Sequence, residues 1–269
     1  RLTNNGDNLL EVISLEDPSN PQVIATLPAR EFPQGIEAAI AGNKLVVVGG
    51  RTVVIDISDP ASPQILSDAL NSADKIAAGT GETVYIATPS SLQVVDVSGE
   101  PQLMGEVGLP SAPYDIESYG NYVYVASGDG GYIVVSVSDP ANPEILDTKI
   151  GKFYSQIAVL GDYVYVWGSE PGGSDEADVF GQGATEVLNT VASGIASGGE
   201  VAVADNKLYS HYPDLKVQSA GADGELIPLI EGQNNAIIRV TGNMAVTDNL
   251  LLVLSEDTLF VFNANNIGN

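Results

Sequence analysis

The residues best suited to chemistry in this chain are carboxylates. Glu170, Asp175, Glu176 and Asp178 crowd into the glycine-rich segment Gly168-Ser169-Glu170-Pro171-Gly172-Gly173-Ser174-Asp175-Glu176-Ala177-Asp178. Hard oxygen ligands of this kind suit Ca2+. Their spacing matches neither an EF-hand nor a repeated Asp-x-Asp-x-Asp-Gly loop, so a solvated loop is the default and a Ca2+-binding rim loop the alternative. A second set is Glu37, Asp74, Asp115 and Gln156, each at the start of a short, small-residue strand. Those four would line an axial channel if the strands surround one. The other reading is that each satisfies its own turn.

Other chemistries lack their residues. There is no cysteine, which excludes disulfides, thiol nucleophiles and thiolate metal sites. His211 is the only histidine, so a multi-histidine metal centre is excluded as well. No Gly-x-Ser-x-Gly elbow and no glycine-rich phosphate loop opens a helix. Trp167 is the only tryptophan, which argues against a ring stapled by repeated tryptophans around a quinone cofactor. Carboxylate pairs of glycosidase type are inevitable among 35 acids, and nothing singles one out. No catalytic residue and no certain cofactor is therefore assigned.

Charge narrows the partners. With 10 basic residues against 35 acids, the formal charge is −25, which repels nucleic acid and anionic lipid. The basic residues are scattered and form no stripe. No apolar run approaches the ~18 residues of a spanning helix. The chain opens at Arg1 rather than Met, which suggests a processed or excised piece.

The elements that carry these residues repeat. Val53-Val54-Ile55-Asp56-Ile57-Ser58-Asp59-Pro60, Val94-Val95-Asp96-Val97-Ser98-Gly99-Glu100-Pro101 and Val134-Val135-Ser136-Val137-Ser138-Asp139-Pro140 are near copies, and Glu11–Pro18 is a degenerate fourth. Pro18, Pro60, Pro101 and Pro140 lie 42, 41 and 39 residues apart. Turn signals recur with the same period at Gly42-Asn43, Gly81-Glu82, Gly120-Asn121, Gly161-Asp162, Asp205-Asn206 and Asp248-Asn249. Gly, Asn and Asp tolerate the positive φ of tight hairpins. A period near forty made of short β-branched strands predicts an all-β propeller, one four-stranded antiparallel blade per repeat.

Within each repeat the strands differ in type. The innermost is short and small-residue, the second rich in Tyr and Val, and the third carries Val-Val-Asp-Val-Ser. The fourth follows Asp-Pro-x-x-Pro. In that corner Asp accepts backbone N–H bonds two residues on, and the second proline opens an outer strand that tolerates a missing donor. Five blades are complete in the chain. Residues 9–16 and 22–27 at one end and 258–264 at the other supply partial ones. Six blades are favoured, closed by combining the terminal strands, with one third strand left over; seven is the alternative. The chain is read as one domain, 1–269.

The Val53–Pro60, Val94–Pro101 and Val134–Pro140 segments, each preceded by a strand such as Tyr122-Val123-Tyr124-Val125, resemble the LVIVD-repeat family. Ser138-Asp139-Pro140-Ala141-Asn142-Pro143 is its closest stretch, and Ser136 and Gly99-Glu100 depart from the pattern. The resemblance implies a bacterial or archaeal surface-associated β-propeller and brings no catalytic residues. Together these readings predict a non-catalytic, secreted or cell-surface (alternatively periplasmic) scaffold. Its partner would be a protein or further copies of itself at the cell surface. The rivals are a subunit of a filament or surface layer, and a propeller hydrolase or lyase using carboxylates with Ca2+.

Overall fold

The computed structural model describes residues 9–28, 37–70, 72–170, 176–192, 200–204, 206–211, 215–229, 244–247, 250–255 and 258–263. Apart from one 3-10 turn at Ala222–Gly224, the regular structure among them is strand. The chain divides into two compact units, Arg1–Thr148 and Lys149–Asn269.

In the first unit, β1 (Leu9–Ser14) pairs with β2 (Gln22–Pro28). Three four-stranded antiparallel sheets follow in strict chain order. They are β3 (Glu37–Ala41), β4 (Lys44–Val48), β5 (Thr52–Asp56) and β6 (Gln64–Leu70); then β7 (Lys75–Ala78), β8 (Thr83–Ala87), β9 (Ser91–Asp96) and β10 (Gln102–Gly108); then β11 (Asp115–Tyr119), β12 (Tyr122–Ala126), β13 (Tyr132–Ser136) and β14 (Glu144–Lys149).

The second unit repeats the plan. It holds β15 (Phe153–Leu160), β16 (Tyr163–Ser169), β17 (Glu176–Gly181) and β18 (Val187–Ala192), then β19 (Glu200–Ala204), β20 (Lys207–His211), β21 (Leu215–Ala220) and β22 (Leu226–Pro228). A three-stranded sheet of β23 (Met244–Thr247), β24 (Leu250–Ser255) and β25 (Thr258–Asn263) ends it. The described residues thus contain five complete four-stranded sheets, plus one pair and one triplet. That is the strand complement of six blades with one strand over, as the repeats foretell.

The period-two pattern explains why each sheet is covered on both faces. Val46, Val48 and Val54 face Ile76, Val84 and Ile86 of the next sheet, while Val47, Val53 and Ile55 pack toward Leu10 and Leu27. Tyr85, Leu92 and Val94 meet Ile116, Val123 and Val125 in the same way. In the second unit Tyr165, Trp167 and Val179 pack on Leu208, and Tyr209 and Val217 pack on Leu251 and Val253. Each blade therefore depends on its neighbours for burial.

The turns behave as their residues require. Gly42, Gly81, Gly120 and Gly161 all take φ between 57° and 66°, and Asn206, the second residue of its own hairpin turn, takes 57°. At the corners, Asp17, Asp59 and Asp139 accept the backbone N–H of Ser19, Ala61 and Ala141 at 3.0–3.1 Å. Asp56 and Asp96 make a second such turn, each accepting the N–H two residues on, Ser58 and Ser98, at 2.8 Å. Ser136, which breaks the motif, instead hydrogen-bonds the Ser138 hydroxyl at 3.0 Å.

One alignment is corrected. Seven residues separate β5 from β6 and β13 from β14, but only five separate β9 from β10. Pro101 directly precedes its outer strand, as Pro21, Pro63 and Pro143 do. It is therefore the counterpart of those second prolines, not of Pro60 and Pro140. The Gly99-Glu100 departure is a shortened corner.

Candidate functional site

The inner strands β3, β7 and β11 lie side by side in the first unit and carry most of the channel-lining candidates. Register identifies true equivalents. Glu37 sits opposite Val48, Asp115 opposite Ala126, and in the second unit Gln156 opposite Trp167. The matching residue of β7 is Lys75, opposite Ala87. Asp74 lies one position earlier, exposed, with its backbone N–H bonded to the Ala87 carbonyl at 2.9 Å. Glu200, opposite His211, completes the set among the described residues. This tier is mixed in charge, because the Lys75 ammonium pairs directly with the Glu37 carboxylate across two blades.

Two residues further along each inner strand stands a second tier. Its members are Ala39, Ala77, Glu117, Ala158, Ala202 and Ala245, opposite Val46, Tyr85, Tyr124, Tyr165, Tyr209 and Leu252. Five are alanine and one is glutamate. Solvent reaches part of Glu117, yet enclosure by surrounding protein penalises its charge. That pushes its carboxyl up to about 7, against the lowering effect of the Ser118 backbone N–H and with added repulsion from Glu37. The neighbouring Ser118 hydroxyl donates to the Ala78 carbonyl of β7. Glu117 was missed in the sequence; lining up the inner strands on the tyrosine opposite would have shown one acid among alanines.

The acidic insertion resolves differently. Glu170 follows β16 and is exposed, whereas Asp175 lies outside the described residues. Glu176 opens β17 and reaches the Lys152 ammonium at 3.5 Å. Asp178 lies buried within β17 and not in the loop before it. One of its oxygens accepts from Lys152 Nζ at 2.8 Å and Thr190 Oγ1 at 2.9 Å; the other accepts from the Tyr154 hydroxyl at 2.6 Å. Burial works against the Lys152 charge, but Asp178 and Glu176 overcome it and hold its pKa above the ordinary value. Burial first and Asp178 second push the Tyr154 phenol upward. Gly168 makes this possible, since a side chain there would come 2.7 Å from the Tyr154 ring. The cluster is a closed polar network bracing one blade. Among the described residues no three His, Cys, Asp or Glu side chains converge to hold a metal.

The other lysine of note, Lys44, is buried between Asp56 at 3.2 Å and Glu82 at 3.6 Å, and so ties two successive blades. His211 ends β20, and Trp167 is buried against Tyr165 with ring centroids 6.2 Å apart. Among the large apolar side chains that reach solvent, Val23, Ile24, Leu66, Leu103, Met104, Leu146, Leu188 and Ile227 lie on the outer strands, whereas Ile40, Tyr119 and Val203 lie on inner strands and Ile150 in a connection.

The comparisons with known proteins agree with this architecture. The LVIVD repeat matches residues 38–68 and 113–148, which bears out the resemblance seen in the sequence. Those two segments span the first and third complete blades. No curated protein matches the chain. Among solved structures, the β-propeller domain of Cps50 (Swd1) from Myceliophteria thermophila superposes with a TM-score of 0.64 at 12% identity, covering 87% of this chain and 85% of that one. Sqt1 from Saccharomyces cerevisiae gives 0.65 at 11%, covering 97% and 78%. A chain of a mitotic checkpoint complex gives 0.66 at 12%, covering 97% and 86%. At such identities the likeness establishes the fold, an all-β propeller of four-stranded antiparallel blades, and nothing finer.

Proposed function

We propose that this LVIVD-repeat β-propeller is a non-catalytic, protein-binding scaffold that works outside the cell or at its surface. One observation carries the reading. Three lysines of the blades are closed on carboxylates, Lys75 on Glu37, Lys44 on Asp56 and Glu82, Lys152 on Asp178 and Glu176, while large apolar side chains stand exposed on the outer strands. Closed pairs fix the frame, and exposed apolar residues on a rigid frame suit recognition. The propeller taken from a checkpoint complex is a component of an assembly, and supports the same use here by analogy of fold alone. The strongly acidic composition supports an exterior location.

A second reading, a subunit that assembles by strand addition, is favoured by the last sheet. There β25 has no fourth strand beside it among the described residues and exposes Phe260 next to Phe262. The test is capture of partners from the native organism's extracellular fraction on immobilised protein, with free protein as competitor, alongside light scattering of the protein alone. The scaffold reading expects a saturable, competed heterologous partner and a monomer. Concentration-dependent growth of the particle without such a partner favours assembly. Turnover of a polysaccharide or ester substrate, with no retained protein, overturns both.

A further inference from the structure

The outer strands share a feature that the repeat motif does not announce. Register breaks by one residue at Ile24 in β2, Leu66 in β6 and Met104 in β10. Each is a β-bulge, and each bulged residue stands three places after the second proline of its corner, at Pro21, Pro63 and Pro101. Leu146 holds the same place after Pro143. These four side chains are 41%, 40%, 42% and 46% exposed. In the second unit the bulge recurs at Leu188, also exposed.

A bulge on an edge strand ordinarily protects it from pairing with a foreign strand, and charged residues reinforce that protection. Here the extra residue is a large apolar one every time. Four large apolar side chains left this exposed at one repeated position work against solubility. The surface around them is predominantly negative. Asp17, Asp59, Glu100, Glu106, Asp139, Glu144 and Asp147 lie on or beside the same corners and strands. Lys44 and Lys75 are turned into ion pairs away from this edge, which leaves Lys149 at the end of β14 as the one lysine on these outer strands.

We infer that the outer-strand bulges of the first unit form a repeated docking surface for a cationic protein segment that presents apolar side chains between its basic ones. Apolar anchors meet the segment's hydrophobic residues, and the flanking carboxylates meet its lysines or arginines. The same charge repels nucleic acid and anionic membrane, which leaves a basic protein as the complementary occupant. Repetition from blade to blade makes the surface multivalent, so that weak single contacts add as avidity. This inference rests on the scaffold reading and locates its binding face.

The experiment uses the full chain and a triple variant, Leu66→Ser, Met104→Ser and Leu146→Ser, checked for an unchanged circular dichroism spectrum. Two labelled peptides of equal length and charge serve as probes, one alternating lysine with leucine and one alternating lysine with serine, read by fluorescence anisotropy at physiological salt. The inference expects the triple variant to weaken the lysine–leucine peptide by about tenfold or more and to leave the lysine–serine peptide unchanged. Equal affinity of both proteins for the lysine–leucine peptide overturns it, as does the absence of binding to the native chain. Should the variant lose its fold, the single substitution Met104→Gln replaces it, with a loss of severalfold expected. The partner captured by the native chain separates the two levels of the account. If the variant retains that partner as well as the native chain does, the docking face is wrong and the scaffold stands. If the native chain retains none, the scaffold reading itself fails.

Discussion

Gly105 of β10 lies against Pro143 of the next blade so closely that a single added carbon would stand 2.7 Å from the proline Cδ and 2.8 Å from the Ala141 carbonyl carbon. The Asp-Pro-x-x-Pro corner is thus more than a local turn. It seats its buried second proline on the outer strand of the blade before it. The second unit achieves the same kind of clasp with other residues. Gly224 approaches Val179 and Tyr163 too closely for a side chain, and its carbonyl accepts the Tyr165 hydroxyl at 3.0 Å. Replacing Gly105 with alanine should destabilise the protein by about 1–3 kcal/mol through overpacking. Alanine at Gly99, which has open space around it, should leave the urea midpoint nearly unchanged. Equal midpoints for the two variants would remove the clasp from the account.

The Lys152–Asp178–Tyr154–Thr190 network yields a second prediction. Lys152→Met leaves the Asp178 carboxylate buried with its counter-charge gone, and should cost about 3–5 kcal/mol in denaturant unfolding. Asp178→Asn in the Lys152→Met background should recover part of that loss, since the uncompensated charge is then gone. If Lys152→Met is neutral, the network does not brace the blade.

Glu117 sets a pH dependence with a defined sign. Its folded carboxyl sits at about 7, above the unfolded value of 4.5, so the folded state holds the proton more tightly. Its contribution is fully present below pH 4.5, falls as pH rises through 7, and is absent above that. Glu37 and Lys75 are the charged groups on the neighbouring inner strands β3 and β7, and Asp115 is the one on its own strand. Glu117→Ala, which installs the residue found at every other position of its tier, should raise the melting temperature at pH 8 more than at pH 5. A uniform shift at both would show that the carboxyl does not titrate in this range.

Asp56 shows the opposite displacement. The Ser58 hydroxyl and backbone N–H hold its carboxylate at about 2, with a further contribution from Lys44. What this turn contributes is present above the unfolded value of 3.8 and is lost only as pH falls through about 2. Carbon-detected NMR titration should find Asp56 ionised at pH 3, and Ser58→Ala should move its midpoint upward. A midpoint near 4 in the native protein would contradict the turn.

Local rules made most of the architecture legible. Gly42-Asn43 and Gly120-Asn121 announce hairpins because positive φ admits few residues, and Asp59 and Asp139 announce corners because a short carboxylate bonds its own backbone. These signals depend on neighbours in sequence, and they repeat. What escaped depends on neighbours in space. Asp74 looked like the partner of Glu37, but strand pairing advances the match by one residue to Lys75, which reverses the charge of the tier at that point. Asp178 read as part of an acidic rim loop because its companions are acids in sequence. Tyr154 and Thr190 come to it from β15 and β18, and Lys152 from the connection that precedes β15. The bulges escaped because an apolar residue in an outer strand looks like a core residue until register shows it displaced.

The central claim is that the blades form a rigid frame whose outer strands recognise protein. Hydrogen exchange of the chain alone, compared with the chain bound to the partner it retains, tests this most directly. The account predicts slowed exchange in β6, β10 and β14, with β3, β7 and β11 unchanged. Slowing confined to those inner strands, or no retained partner at all, would contradict it.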